Sequence, residues 1–216
     1  MSDYFRTLAL GQNKRARTRN LLIDTAIDVF SDKGIEAASV QEITMIAGLA
    51  NGTFYNHFKD KEELAGSVSR AIVLEIAKRL AEQMQGLDRG VTRVTVASWA
   101  FLRIAVANGN WARVLAYQFQ RRPVTNTIVF QYMRADLELA AKQSKLDIEV
   151  DDFLLEQLAS LMMAALHRQL EQGEQSAVMH RVCESMLRLL GLTPAQAKRE
   201  VDNAQQHPLV SRVVSD

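Results

Sequence analysis

Residues 39–64, SVQEITMIAGLANGTFYNHFKDKEEL, restrict the fold of this chain more than any other segment. Ser39 and Glu42 make the S-x-x-E pattern with which many helices begin. Gly48 follows, and glycine readily adopts the left-handed conformation with which helices commonly end. A second helix is expected to start near Asn51. The segment therefore predicts two short helices joined by a tight turn.

The second short helix has one apolar face and one polar face. Phe54 and Phe58 are four residues apart, so they lie on the same side and can attach the helix to a small core. The opposite face and its two flanks carry Gly52, Thr53, Asn56, Tyr55 and His57. A slim polar helix of this kind is suited to the major groove of DNA, with its flanking side chains on the phosphates. We therefore expect a helix-turn-helix whose second helix reads DNA.

Basic residues lie on both sides of this unit. A further helix is predicted to begin at the capping pair Asp60 and Glu63, and Lys59 and Lys61 flank its start as phosphate contacts would. A second basic cluster leads into the first helix and comprises Lys14, Arg15, Arg17 and Arg19. Such an arm can lie along the DNA backbone or reach into a minor groove. The alternative is a solvated, frayed chain end.

The segment from Gly48 to Leu64 has the pattern G-x-x-x-G-T-F-Y-x-H-F-x-x-K-x-x-L and resembles the DNA-binding domain of the tetracycline-repressor (TetR) family of transcriptional regulators. The likeness extends back through Phe30 and Gly34 to Arg19, so it covers about the first 64 residues. The resemblance implies a homodimer that binds a near-palindromic double-stranded DNA operator as a repressor. It also implies release of the operator when a small-molecule effector enters the C-terminal domain.

Carried over by position, the resemblance implies a DNA-facing set made up of Arg19, Ser39, Gln41, Asn51, Gly52, Thr53, Tyr55, Asn56, His57 and Lys61. Two positions depart from the family pattern. Thr44 stands where the family usually has Ala, and Ala50 stands where it usually has a capping Ser or Thr. We therefore expect Asn51 to cap the recognition helix, which would draw its side chain away from a base contact.

The rest of the chain predicts an all-α fold, with an N-terminal three-helix bundle followed by a larger C-terminal helical domain. A long helix is expected from about Lys61 to Gln85, and residues 91–107 are apolar on nearly all sides, as is typical of a buried central helix. Residues 145–151 alternate like a strand but have no partner strand, which favours a loop. The predicted division is a DNA-binding domain at 1–60, an effector-binding and dimerisation domain at 61–204 and a flexible tail at 205–216.

Two predicted helices near the C-terminus, at 153–172 and 174–190, carry apolar stripes. The first stripe comprises Leu154, Leu158, Leu161, Met162, Ala165 and Leu166, and the second comprises Val178, Val182, Met186, Leu189 and Leu190. In the resembled family the last two long helices pair with their copies in a partner to form a four-helix interface, so the resemblance implies that role here. An intramolecular core is the alternative, because a stripe alone does not identify the chain it faces.

An effector site is expected among the large or polar residues of the C-terminal helices. The candidates are Trp99, Arg103, Trp111, Tyr132, Met133, Met163 and His167. Arg103 and His167 stand out, because a charged or titratable group in a mostly apolar helix can orient an acidic or carbonyl group of a ligand. Each candidate also fits ordinary core or surface, and His167 fits the solvent-exposed end of its helix. The ligand class stays open.

Composition narrows the remaining function classes. The balance of 26 basic and 25 acidic residues argues against a protein that coats nucleic acid along its whole surface. The single cysteine, Cys183, leaves neither an intramolecular disulfide nor a multi-cysteine metal site, and no cofactor is expected. No uninterrupted apolar run approaches the ~20 residues of a membrane span, and no signal peptide is recognised. We therefore expect a cytoplasmic protein without a membrane partner.

Two other function classes are alternatives to the regulator. An all-α enzyme is disfavoured, because the sequence contains no G-x-S-x-G, H-E-x-x-H, G-x-x-x-x-G-K-[ST] or G-x-G-x-x-G pattern. A DNA-binding regulator controlled by a protein partner, without a small-molecule effector, is the second alternative. An activator would have a similar sequence to a repressor.

Overall fold

The computed structural model describes residues 13–107, 109–121, 128–173 and 176–210. In these ranges the chain forms helices α1 (Lys14–Ala37), α2 (Val40–Ile46), α3 (Asn51–Tyr55), α4 (Lys61–Gln83), α5 (Gly90–Ala107), α6 (Gly109–Arg121), α7 (Ile128–Ser144), α8 (Asp152–Gln172), α9 (Ser176–Leu189) and α10 (Pro194–Gln205). No strand occurs in the described ranges. The predicted all-α fold class is therefore confirmed.

By their packing, the helices fall into two compact units, and each is described by itself. The first contains described residues 13–72 together with 109–121, and the second contains residues 73–107 and the described residues beyond 121. The change from one unit to the other falls within α4, between Ile72 and Val73. The long helix predicted from Lys61 is confirmed, with its last helical residue at Gln83.

In the first unit, α1 packs against α2 and α6, and α2 packs against α3. Asn13 caps α1 by accepting a hydrogen bond from the backbone N–H of Ala16 at 2.9 Å. Leu22, Ala26 and Phe30 form its buried face. Gly34 interrupts the regular helix with φ of +82°, after which one further turn runs to Ala37. Helix α1 is therefore broken at Gly34.

In the second unit, α5 is the central helix and contacts α7, α8, α9 and α10. Gly90 at its start lies so close to α7 that a Cβ there would be 2.2 Å from the backbone nitrogen of Ala140. The side chain of Gln143 accepts from the Gly90 N–H at 2.8 Å and so fixes the start of α5. By length and composition α5 also passes as a candidate membrane span, but 61% of the window is buried within the fold. That burial fits a core helix.

The connection from α7 to α8 and the end of the chain follow their sequence signals. The predicted loop at residues 145–151 is confirmed, and Asp151 caps α8 by accepting from the N–H of Leu154 at 2.8 Å. Thr193 and Gln196 form a capping box at the start of α10. The sequence places a flexible tail from residue 205, yet Val210 is only 3% exposed. Residues 211–216 of that tail lie outside the described ranges.

The apolar stripes of α8 and α9 face mainly into their own chain. Leu158, Met162 and Leu166 of α8 and Met186 of α9 are all buried within the second unit. These stripes were expected to form the dimer interface, and for their buried members that expectation is wrong. Their apolar surface is already covered by α5 and by the other helix of the pair, both of which α8 contacts. Leu189, at 40% exposed, is the member of the α9 stripe that is most open to solvent.

Candidate nucleic-acid interface

The turn between α2 and α3 is closed by two backbone hydrogen bonds around Gly48. The Gly48 N–H donates to the Met45 carbonyl at 3.1 Å, and the Leu49 N–H donates to the Thr44 carbonyl at 2.9 Å. Gly48 has φ of +66°, the left-handed conformation that this helix ending requires. The predicted tight turn is therefore confirmed, and it fixes the direction in which α3 leaves α2.

The recognition helix α3 is anchored by Phe54 within it and by Phe58 just beyond its end. Phe54 and Phe58 are 0% and 1% exposed, and their ring centroids lie 5.7 Å apart. Ala50 is the N-cap residue and provides no side-chain hydrogen bond, while Asn51 is the first helical residue. The expectation that Asn51 would cap the helix is therefore wrong. Its exposed side chain remains open to an external partner.

The outward face of α3 is polar and open. Asn51, Gly52 and Asn56 are exposed, Thr53 is half-exposed, and Tyr55 is 58% exposed. A Cβ added at Gly52 would meet no protein atom within 4 Å, so the fold itself does not require glycine at that position. An exposed helix position that is left without a side chain permits a close approach by another molecule.

Three basic groups gather near the C-terminal end of α3. The Arg15 guanidinium donates to the Asn56 carbonyl at 3.4 Å, and the Arg19 guanidinium lies over the Phe58 ring at 5.0 Å from its centroid. Partial burial, followed by the positive charges of Arg15 and Arg19, lowers the pKa of His57 from its ordinary value. The arginines thus form part of the α3 surface, and an anion placed there would offset the repulsion between them and a protonated His57.

Lys61 has an internal role at the start of α4. Its ammonium donates to the backbone carbonyls of Glu36 at 2.8 Å and Ala38 at 2.7 Å. These bonds attach α4 to the C-terminal end of α1 and its cap residue. Lys61 was expected to contact phosphate, but this geometry already uses its charge within the fold. Beside it, Asp60 caps α4 by accepting from the Glu63 N–H at 2.7 Å, as predicted.

The N-terminal end of α2 presents the remaining members of the predicted DNA-facing set. The Ser39 hydroxyl accepts from the Glu42 N–H at 3.1 Å, which confirms the predicted cap, and Gln41 is exposed. The Glu42 carboxylate contacts the Lys33 ammonium at 2.5 Å. The helical spacing of Ile43 and Ile46 predicts that both lie on one buried face of α2, but Ile46 is 59% exposed, so for Ile46 that prediction is wrong.

The candidate effector residues do not form one group. Trp111 is buried in the first unit, whereas the other six belong to the second. Trp99 is 1% exposed and meets His180 edge-on, with 6.2 Å between ring centroids. Tyr132 is 49% exposed, and Arg103, Met133 and Met163 are half-buried. His167 lies on the exposed side of α8, 3.2 Å from the Glu171 carboxylate, which fits the solvent-exposed alternative.

Gln169 is a residue that the sequence interpretation missed. It is 4% exposed, and neither its Oε1 nor its Nε2 atom has a hydrogen-bond partner in the described part of the chain. Leaving a buried polar group unpaired costs about 1–3 kcal/mol. Its spacing from Met162, Ala165 and Leu166 would have placed it on the buried face of α8. Polar residue type alone gave no reason to select it from the other glutamines.

The sequence of the first unit is similar to that of known proteins. Residues 22–68 match the family model for bacterial regulatory proteins of the tetR family, a range that includes all of α2 and α3. The helix-turn-helix domain belongs to the TetR family. The resemblance noted in the sequence is therefore confirmed for this domain.

Among relatives of the TetR-family domain, the transcriptional repressor DhaR of Mycobacterium sp. (strain GP1) is 30% identical over 71 residues, which are 33% of this chain and 36% of DhaR. The repressor KstR2 of Rhodococcus jostii (strain RHA1) is 25% identical over 116 residues, or 53% of this chain and 55% of KstR2. The chain thus spans between about a third and just over half of the length of these curated relatives.

The likeness in fold continues past the TetR-family domain. A crystal structure of RolR in complex with resorcinol has a TM-score of 0.71 and 23% identity, covering 90% of this chain and 96% of that one. The structure of FadR from Bacillus subtilis in complex with stearoyl-CoA has a TM-score of 0.61 and 19% identity, covering 80% of this chain and 98% of FadR. Both likenesses concern the fold, and they extend to the C-terminal helices.

Proposed function

We propose that this chain is a ligand-responsive transcriptional repressor that binds a near-palindromic DNA operator as a homodimer. The observation that carries the proposal is the geometry of α3, where buried Phe54 and the following Phe58 hold an exposed polar face away from the core. Gly52 and Asn56 on that face would approach the bases. Tyr55, His57 and Arg15 at its edges would contact phosphates and set the position of α3 on the duplex.

The division of labour within this proposal follows the predicted domains. Residues 1–60 would bind DNA, and residues 61–204 would bind the effector and the partner. On this view Arg19 and Lys61 act mainly by positioning, because the first packs on Phe58 and the second holds backbone carbonyls. The protein would work in the cytoplasm without a catalytic reaction. Its relatives are named as transcriptional regulators, in agreement with that role.

The homodimer would use the sides of α8 and α9 that their own chain leaves open. Phe153 is 66% exposed at the start of α8, Ala164 is exposed further along, and Leu189 is 40% exposed on α9. On each helix these exposed positions lie on a different side from the buried stripe, so a partner could cover them without disturbing the core. A dimer would place two recognition helices in major grooves about 34 Å apart, or a multiple of that spacing.

Release by a small molecule is supported by the solved relatives of similar fold, two of which are described with resorcinol and with stearoyl-CoA. These ligands are too different in size to indicate the class that this chain would bind. The dimer would have one conformation whose recognition helices fit the operator and another whose spacing does not. A ligand that binds the second conformation more tightly would lower operator affinity by the ratio of its affinities for the two conformations. Such coupling is typically ~1–3 kcal/mol.

The test begins with selection of binding sites from a pool of random duplex DNA, followed by fluorescence anisotropy with the enriched sequence and a scrambled duplex. We expect enrichment of an inverted repeat, with affinity that falls steeply as salt rises. Recovery of unrelated sequences, with equal affinity for the scrambled duplex, would refute the proposal. The anisotropy assay then serves to screen small molecules for operator release, and a purified protein partner that releases the DNA would favour the alternative form of control.

A further inference from the structure

Gln169 has no role in the proposed DNA interface, and within the described ranges it is a buried polar side chain whose hydrogen-bonding capacity is unused. It lies near the C-terminal end of α8, on the face that also carries the buried residues Met162, Ala165 and Leu166. Both of its polar atoms are inaccessible to solvent and unpaired among the described residues. A neutral amide in this position offers one acceptor oxygen and two donor hydrogens to whatever contacts it.

Buried methionines lie on α8, which carries Gln169, and on α9, the next helix along the chain. Helix α8 packs against α5 and α9. Helix α9 begins at Ser176 after a short connection, so its first turns follow Gln169 closely in the chain. Met179 in that part of α9 is 0% exposed, and Met162 on α8 is 8% exposed. Methionine side chains adapt in shape and make favourable contacts with aromatic rings.

We propose that Gln169 recognises the neutral hydroxyl group of a small aromatic effector. A hydroxyl group is both donor and acceptor, so it can donate to Oε1 and accept from Nε2 of the same amide. The adjacent methionines would contact the ring. A charged group fits less well, because burying a charge requires an opposite charge and the Gln169 amide has none. The inference rests on the proposed function, since it names the ligand class of a ligand-responsive regulator.

The experiment compares phenol with toluene, two molecules of similar shape that differ by a hydroxyl group in place of a methyl group. Their dissociation constants are measured with the full chain by isothermal titration calorimetry. The informative quantity is the ratio of the phenol affinity to the toluene affinity, because it cancels the contribution of the ring. We expect this ratio to be about tenfold higher for the wild-type chain than for Gln169→Met, as follows from the loss of hydrogen bonds to a buried group.

Two further variants separate recognition from a general change in the helix. Gln172→Met, at an exposed position one turn away, should keep the wild-type ratio. Gln169→Asn keeps the amide but withdraws it by one methylene, so it should lower the ratio while leaving the toluene affinity near that of the wild type. It also provides a reading if the methionine variant fails to fold.

Three outcomes overturn the role of Gln169. They are an equal affinity ratio in wild type and Gln169→Met, the same loss in Gln172→Met, and no binding of either molecule to the wild-type chain. Operator binding is measured in the same preparations. Selective DNA binding combined with any of these outcomes refutes the ligand inference alone, whereas loss of selective DNA binding in the wild-type chain refutes the proposed function.

Discussion

Gly52→Ala is the substitution that best separates the requirements of the fold from those of DNA binding. The added methyl group would meet no atom of the chain within 4 Å, and Gly52 lies inside the helix Asn51–Tyr55. Alanine is favoured over glycine in a helix by roughly 0.5–1 kcal/mol, so the variant should be at least as stable as the wild-type chain. If α3 approaches DNA at this point, the same methyl group occupies the space of a groove contact.

The expected loss of DNA affinity follows from the symmetry of the proposed complex. Disturbing one base-edge contact costs about 1–3 kcal/mol, and a value near 1.4 kcal/mol corresponds to a factor of about ten. A homodimer carries the substitution in both half-sites, so the operator affinity should fall about 100-fold. The same methyl group should therefore raise the folding stability and lower the operator affinity.

The assay combines thermal unfolding with fluorescence anisotropy on the selected operator. Gly109→Ala is the matched control, because a Cβ at Gly109 also meets nothing within 4 Å and the residue begins α6, away from α3. The control should keep wild-type operator affinity. Wild-type affinity in Gly52→Ala would refute the orientation assigned to α3, since the residue facing the groove would then have room for a side chain. A lowered unfolding temperature would refute the packing argument instead.

Other predictions concern the residues around α3. DNA phosphates should favour protonated His57, so operator affinity should rise as the pH falls from about 7.5 to 5.5, and this slope should vanish in His57→Gln if the contact exists. Without DNA, the lowered pKa of His57 means that the unfolded state binds the proton more readily than the folded state. The free energy of unfolding should therefore decrease as the pH falls through about 6.5, which chemical denaturation at several pH values should detect. Asn56→Ala should change which operator bases are preferred, whereas Tyr55→Ala should weaken binding to all sequences and reduce the salt dependence of binding. Repeating the site selection with each variant distinguishes the two effects. An unchanged base preference in Asn56→Ala would count against base readout by Asn56. Lys61→Met should lower the free energy of unfolding by about 1–3 kcal/mol, because two backbone carbonyls lose a charged donor, and denaturation with no loss of stability would assign Lys61 to phosphate binding alone.

The local sequence predicted the helix-turn-helix because its signals act over a few residues. Ser39 and Gly48 begin and end α2 through bonds within one or two turns, and Phe54 and Phe58 meet because they are four residues apart and the Phe58 N–H donates to the Phe54 carbonyl at 3.0 Å. Such contacts depend little on the rest of the fold. The same reasoning failed at Asn51, where residue type favoured a cap but the backbone began the helix one residue earlier than that role requires.

Contacts between distant helices were harder to predict. The stripe that includes Leu158 was correctly recognised as apolar, but its partner could not be identified, because a periodic pattern marks a buried face without naming what buries it. His167 attracted attention as a titratable residue and lies on the solvent side of α8, whereas Gln169, two residues later, is enclosed. Lys61 reaches the carbonyls of Glu36 and Ala38 across a separation that no local pattern reveals.

The contact of Gly90 with α7 has a consequence for how this chain can evolve. Any side chain at position 90 would collide with the backbone at Ala140, and backbone cannot yield in the way that a flexible side chain does. A compensating change elsewhere would have to move a whole helix, so no single second substitution can restore the fit. The second unit can therefore change its other side chains while the crossing of α5 and α7 stays at the same place. If this unit binds the proposed effector, new ligand specificities would arise around that fixed crossing.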